Sequence, residues 1–304
     1  MSLHRRSGGF AAISAILVAG TVASIGTVLA WQGTLATRQA ENIAAARQAR
    51  QLVHAAAMSA AVLIAQDDPR VDHRGEAWAR SLPAMAIDGA TISALLTDEQ
   101  AKFNVNNLAD SHGTSEVDLA AFRRLLARVG LPESLADAVL DWIDTDGEVT
   151  DPQGAEDAYY AGREPPYRAA NREIGEIGEL LLVKGFTADR LRRLEPYLTA
   201  LPGATRVNVN SASAELLAAL LPGISLSTAQ AIVAARDKEP YGSKLEFTRR
   251  LPASAVQAAS DLLDVRSDYF AVRGTVRAGR ISAGYRGLVG REGPTVRSIT
   301  EEFG

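Results

Sequence analysis

Residues 8–37 read GGFAAISAILVAGTVASIGTVLAWQGTLAT, thirty positions from Gly8 to Thr37 without a charge. His4, Arg5 and Arg6 stand immediately before this run, and Arg38, Glu41, Arg47 and Arg50 follow it. Its apolar part, Phe10 to Trp31, makes a helix of about 33 Å at ~1.5 Å per residue, which matches a hydrocarbon layer of about 30 Å. One membrane span is predicted. The positive charges before it hold the first residues in the cytoplasm and send the bulk of the chain to the exported side. A cleaved secretory signal is the competing reading, but its apolar region is only about 7 to 15 residues long. Here helix-favouring sequence continues through Ala44, Ala45, Ala46, Leu52, Val53, Ala56, Ala60 and Leu63 before Asp67, Asp68 and Pro69 break it.

Taken whole, the 304 residues have the composition of an ordinary folded protein, long enough for two domains and too polar for several membrane spans. Thirty-two basic against 36 acidic residues leave a net charge of −4, so no global positive field attracts nucleic acid or an anionic membrane surface. The absence of cysteine excludes disulfides, thiolate-bound metals and thiol catalysis. His4, His54, His73 and His112 have neither ligand nor triad spacing, and no nucleophile-elbow, P-loop or His-Glu-x-x-His motif occurs. Catalysis is not expected.

Residues 87–108 read as a strand (Thr91 to Thr97), a polar turn (Asp98-Glu99-Gln100) and a second strand (Ala101 to Asn106). Short helices follow over Leu119 to Val129, Leu135 to Ile143, Ile174 to Leu182, Ala188 to Leu198, Ala214 to Leu221, Ser227 to Ala235 and Ser254 to Leu263, punctuated by Pro132, Gly185, Pro202, Gly223 and Pro252. The end returns to strands at Tyr269 to Arg277, Ile281 to Val289 and Thr295 to Ile299. Terminal strands need partners, and the early ones supply them, so the order predicts a sheet interrupted by a helical insertion.

The helical block holds a weak internal repeat: Asn104-Val105-Asn106 and Asn208-Val209-Asn210 each precede a helical hairpin. The second, Leu216 through Arg236, resembles a helix-hairpin-helix, whose glycine-bearing turn can present amides to phosphate. Ser225 stands where its second glycine is expected. Arg236, Lys238, Lys244, Arg249 and Arg250 are interleaved with Asp237, Glu239 and Glu246, which leaves no clean phosphate-neutralising stripe.

Between the hairpins Asp141, Asp144, Asp146, Glu148, Asp151, Glu156 and Asp157 put seven carboxylates within 17 residues, with no basic residue among them. A hard cation taking about 6 to 8 oxygens relieves such repulsion, and Gly147 and Gly154 allow the loop to close. Calcium suits the carboxylate-rich set better than magnesium, and better than zinc in the absence of nearby His or Cys. The match to an EF-hand is partial, since Val149 holds the glycine position and Ala155 the twelfth. Asp144, Asp146, Glu156 and Asp157 are the expected ligands, with Asp141 capping or orienting from the preceding helix. A solvated acidic surface loop is the plain alternative. Trp142, Tyr159, Tyr160 and Tyr167 read as core around the loop.

Ser7-Gly8-Gly9-Phe10, after a short basic leader and before the long apolar helix, resembles the class III signal of type IV pilins and pseudopilins. The resemblance implies cleavage between Gly9 and Phe10 by a prepilin peptidase on the cytoplasmic side and methylation of the new N-terminus. Most of that class carry a glutamate at the fifth mature position, where this chain has Ser14. A subunit without it offers no counter-charge to the amine of a subunit above, which suits the tip of a fibre.

Over nearly its whole length the chain is similar to the general secretion pathway protein K family, the large minor pseudopilin of bacterial type II secretion systems. The similarity rests on Phe103-Asn104-Val105-Asn106-Asn107-Leu108, Asp141-Trp142-Ile143-Asp144-Thr145-Asp146, Gly154 to Tyr160, Pro165 to Asn171, Pro196-Tyr197-Leu198 and Val207-Asn208-Val209-Asn210. It implies an α+β pseudopilin fold, a long N-terminal membrane helix packed on a small antiparallel sheet, with a large inserted all-α domain. The implied divisions are a leader 1–9, helix 10–66 with 10–31 in the membrane, a first part of the sheet 67–110, a helical insert 111–262 and C-terminal strands 263–304. It also implies calcium in the acidic loop and single-pass residence in the inner membrane with the bulk in the periplasm. The implied partners are the I-type and J-type minor pseudopilins, the major pseudopilin fibre and the inner-membrane assembly platform. The implied role is to initiate or cap the pseudopilus for export across the outer membrane. The alternative from another class is a membrane-tethered DNA-binding receptor acting through the hairpins.

Overall fold

The structure, a computed structural model, describes residues 7–80, 82–87, 89–110, 113–279, 281–292 and 295–303. Residues 1–6 of the expected leader and His112 lie outside them. Helix α1 (Ser7–Ala65) runs unbroken for 59 residues. Its first half is exposed on all sides, Phe10 at 77% and Trp31 at 65%, and it is one helix long and apolar enough to cross a membrane. Polar side chains inside this apolar stretch close on their own helix. Ser14, Thr21, Ser24 and Thr27 each donate to the carbonyl four residues earlier, so none needs a partner in a lipid layer. In the second half Ala49, Leu52, Val53, Ala60 and Ile64 turn one stripe toward a sheet.

After the linker come β1 (Leu82–Ile87) and β2 (Ala90–Asp98), then the two-residue strands β3 (Phe103–Asn104), β4 (Ala109–Asp110) and β5 (Gly113–Thr114). The helical stretch comprises α2 (Glu116–Arg128), α3 (Leu135–Ile143), α4 (Asp157–Tyr160), a 3₁₀ segment (Ile177–Leu182), α5 (Ala188–Leu194), α6 (Ala214–Leu220), α7 (Leu226–Arg236), α8 (Lys244–Thr248) and α9 (Ala253–Leu262). Interspersed are β6 (Leu198–Thr199), β7 (Val207–Asn208) and β8 (Leu263–Asp264), and the chain ends in β9 (Tyr269–Ala278), β10 (Ile281–Glu292) and β11 (Thr295–Phe303). The main sheet is five-stranded in the order β1-β2-β9-β10-β11, with every neighbouring pair antiparallel. Alternation sends Ile92, Ala94, Leu96, Phe270, Val272, Val276, Tyr285 and Val289 to the face that α1 covers.

The three C-terminal strands lie where the sequence puts them. The strand expected over Ala101 to Asn106 is corrected: the chain leaves the main sheet after Asp98 and re-enters at Tyr269, and β2 pairs instead with β1 and β9. Side chains draw this stretch out of the sheet. Asp98 Oδ1 accepts the Gln100 amide at 2.8 Å, and Asn104 Oδ1 accepts those of Asn106 at 3.2 Å and Leu201 at 3.0 Å, bending the backbone into 3₁₀ turns. The segment between β2 and β9 is mainly helical rather than all-α, since it also carries three two-stranded pairs.

Within it the Asn-x-Asn repeat is a structural repeat. β3 pairs in parallel with β6, and β7 pairs in parallel with β8, so each copy opens and closes on a short parallel bridge. The second asparagine of each copy exchanges both amide bonds with a distant peptide, Asn106 with Ile174 and Asn210 with Tyr241, at 2.8 to 3.0 Å. Ser225, in place of the second glycine, caps the start of α7, its hydroxyl accepting the Thr228 amide at 3.1 Å.

Two apolar cores result, one under α1 and the sheet, one within the helical block. They meet at a buried polar junction. Arg291, 7% exposed, donates to both oxygens of Asp72 at 3.0 and 3.1 Å and to the Ser267 carbonyl at 3.0 Å. Asn208 donates to Asp98 and to the Asp72 carbonyl, each at 3.0 Å, so residues from the linker, the sheet and the second repeat share one network.

Candidate metal centre

All nine residues of α3 are buried, and its last turn delivers Asp141 with no exposed surface. The two Asp141 oxygens accept the Thr150 amide at 3.2 Å each, which folds the following loop back over the helix end. The Thr150 carbonyl then accepts the Gly154 amide at 2.7 Å. A Cβ at position 154 would stand 2.2 Å from Asp141 Oδ2 and 2.6 Å from the Thr150 oxygen, so only glycine passes here.

This closure brings one carboxylate oxygen each of Asp144, Asp146 and Glu156 within 4.8 Å of one another. Asp144 Oδ1 and Glu156 Oε1 are buried with no hydrogen-bond partner among the described residues. Burial, then the charges of Asp146 and Asp141, pushes Asp144 up to about 7. Burial, then Asp141 and Asp144, does the same for Glu156, also to about 7. Carboxylates held together with orphaned oxygens fit a hard, oxygen-seeking cation such as calcium. Such an ion would supply the charge that cancels the repulsion.

Three of the four expected ligands therefore converge, and Asp157 does not. As the first residue of α4 it is committed elsewhere: its Oδ1 accepts the Ala169 amide at 3.1 Å and its Oδ2 lies 3.8 Å from Arg168 Nε. Asp141 orients the loop. Behind it Trp142, Tyr160 and Tyr167 form a ring cluster, with centroids 5.0 Å apart for Trp142–Tyr160 and 5.3 Å for Tyr160–Tyr167.

Two features escaped the sequence reading. Asp67, Asp72 and Glu76 also bring carboxylate oxygens within 4.8 Å, but there Arg291 already answers Asp72, and burial raises Glu76 to about 7. The period-2 alternation Tyr285, Gly287, Val289, Arg291 was the available signal, since it aims an arginine at the α1 side of the sheet. The second is a cleft of about 610 Å³ between the outer face of the sheet and the Ile177–Leu182 segment with α5, with Ile177, Leu181, Leu191, Leu288 and Ile299 on its walls.

Of the five basic residues of the hairpin region three have partners within the protein, while Lys238 and Arg249 are exposed. Arg236 is buried and its guanidinium donates to the Val209 carbonyl. Lys244 donates to the Ser260 carbonyl at 2.8 Å, and Arg250 pairs with Glu246 at 3.0 Å. Ser14, Gly9 and Phe10 lie within α1, the Ser14 hydroxyl donating to the Phe10 carbonyl at 2.9 Å.

Profiles of the family "Type II secretion system (T2SS), protein K" match residues 101–203 and 207–266, the same division as the two Asn-x-Asn repeats. Type II secretion system protein K of Pseudomonas aeruginosa is 35% identical over 91% of this chain and 86% of its own length. That of Aeromonas hydrophila is 32% identical over 88% of each. In fold the chain resembles a chain of the GspK-GspI-GspJ complex from the type 2 secretion system of enterotoxigenic Escherichia coli, with a TM-score of 0.78 at 24% identity over 88% of this chain and 99% of that one. With two profiles and two near-full-length relatives in agreement, the chain belongs to the type II secretion system protein K family.

Proposed function

We propose that this protein is the minor pseudopilin at the tip of the type II secretion pseudopilus, where it assembles with I-type and J-type minor pseudopilins to initiate or cap the fibre for export of proteins across the outer membrane. The observation that carries the reading is the fifth position after the Gly9–Phe10 processing point. Ser14 stands there with its hydroxyl closed on the Phe10 carbonyl, so the first turns of α1 hold no carboxylate to offer the amine of a subunit above it. A subunit that accepts no neighbour above belongs at an end. The helical insertion between β2 and β9 supports the same reading, since it adds bulk that the helix-and-sheet frame does not need for its own core. α1 anchors the chain once in the inner membrane, with the sheet and helical block in the periplasm.

In this reading the acidic loop holds a structural calcium through Asp144, Asp146 and Glu156. Co-purification of the full chain with the I-type and J-type minor pseudopilins, with and without chelator, tests the assembly. A stoichiometric complex is expected. Failure to form it both with calcium and with chelator refutes the tip assignment. Intact-mass measurement of the protein from its host tests processing, and a mature start other than Phe10 contradicts it. The DNA-receptor alternative has less support, because Arg236 and Lys244 of the hairpin region are engaged within the protein and Arg250 is paired with Glu246.

A further inference from the structure

Four contacts tie the 3₁₀ segment Ile177–Leu182 and the two residues after it to residues that flank the acidic loop, beside the Arg172 and Gly175 contacts to Glu179. Trp142, two positions before Asp144, donates its indole N–H to Glu179 Oε1 at 3.1 Å. Tyr160, at the end of the turn that begins at Glu156, accepts the Lys184 amide on its hydroxyl at 3.2 Å. Tyr167 donates its hydroxyl to the Leu182 carbonyl at 2.8 Å. In the other direction Lys184 Nζ donates to the Gly154 carbonyl at 3.0 Å and lies 5.1 Å from the Tyr159 ring centroid. Leu180 and Val183 are buried in the core, while Leu181 and Leu182 are each 48% exposed. Ile177 and Leu181 form part of one wall of the 610 Å³ cleft against the sheet.

Without a cation, the three converging carboxylates repel, and Asp144 Oδ1 and Glu156 Oε1 remain buried without partners. Opening the loop relieves both costs. It also displaces the Gly154 carbonyl and the turn that carries Tyr160, which are two of the four anchors of the segment. We propose that cation occupancy of the acidic loop orders residues 177–184, so that the wall of the cleft opposite the sheet is set by the ion, with Trp142, Tyr160, Tyr167 and Lys184 as the positioning residues that transmit it. The proposal rests on the calcium reading of the loop and adds a consequence remote from the ligands.

The test is amide hydrogen exchange of the full chain in detergent, with calcium or with chelator, read at the Val183 and Lys184 amides, alongside calorimetric titration with calcium itself. The Val183 amide donates to Leu180 O and the Lys184 amide to the Tyr160 hydroxyl, so both report the segment. Calcium is expected to slow their exchange about tenfold, the factor set by restoring one or two hydrogen bonds. Tyr160→Phe removes the hydroxyl that accepts the Lys184 amide; it is expected to bind calcium as the parent does and to lose most of that gain in protection at Lys184. Equal exchange with and without calcium, in a parent that binds the ion, overturns the coupling and leaves the site standing. Unchanged calcium-dependent protection at Lys184 in Tyr160→Phe overturns the path through Tyr160. No heat of binding and no change in exchange refutes the site and the coupling together.

Discussion

Arg291→Met isolates the junction between the two cores. Asp72 has no exposed surface, and Arg291 contacts it through two guanidinium nitrogens at 3.0 and 3.1 Å while also donating to the Ser267 carbonyl. The Arg291 guanidinium carbon lies 5.4 Å from the Phe270 ring centroid, so the methionine stem still fills apolar space. What is lost is the counter-charge. Leaving a buried carboxylate unpaired costs about 3–5 kcal/mol, several times the ~1 kcal/mol of an exposed pair. Urea unfolding of the full chain in detergent at pH 7.5 should register that loss. Asp72→Asn combined with Arg291→Met should recover much of it, because the neutral amide no longer needs a cation. The sign of the pH effect follows from the same cause. Burial already holds Asp72 above its ordinary value, and loss of the Arg291 contact raises it further, so the folded variant holds its proton to higher pH than the parent and loses stability as pH rises through that window. Acidification toward pH 5 should therefore narrow its deficit. A loss below about 1 kcal/mol for the single variant, or additive effects in the double, would refute the assignment of the pair as the charge balance of this junction.

The metal-free protein should gain stability as pH falls from 7 toward 5: Asp144 and Glu156 sit near 7 when folded, well above ordinary carboxylates, and the gain should shrink when calcium replaces the protons. Melting curves against pH, with chelator and with calcium, show it, and identical slopes under both conditions contradict it. Gly154→Ala should weaken calcium binding by tenfold or more in calorimetry while the fold persists, since its methyl meets Asp141 Oδ2 at 2.2 Å; parent-like affinity would mean that the loop closes by another route. Gly274→Ala should cost roughly 2–3 kcal/mol in chemical unfolding, because a Cβ there lies 1.9 Å from the Ser93 carbonyl and 2.6 Å from the Tyr285 ring. Asn106→Ala should cost about 2–4 kcal/mol by leaving the Ile174 peptide and one Leu201 bond unsatisfied, and a neutral effect would deny the repeat its structural role.

The acidic loop shows how far residue types alone can reach. Carboxylate count and the glycine spacing located it, but not which three of the seven converge. That depended on Asp141 turning the chain at Thr150 and on α4 beginning at Asp157, which commits the Asp157 carboxylate to the Ala169 amide. The missed strand β1 (Leu82–Ile87) has a similar cause. Its alternation is weak and Pro83 interrupts it, so only its pairing with β2 defines it as a strand.

The sequence by itself determined α1, since thirty uncharged residues have no stable arrangement in water other than burial or lipid. It also determined the C-terminal strands and the two Asn-x-Asn copies, because alternation and side-chain capping are local physics. Tertiary structure alone decided where the chain leaves the sheet, that Arg291 answers Asp72 across 219 positions, and that the loop beside Trp142 is wired to residues 177–184. Those are long-range pairings, fixed by which buried charge and which unsatisfied amide come to lie side by side once the two cores have packed.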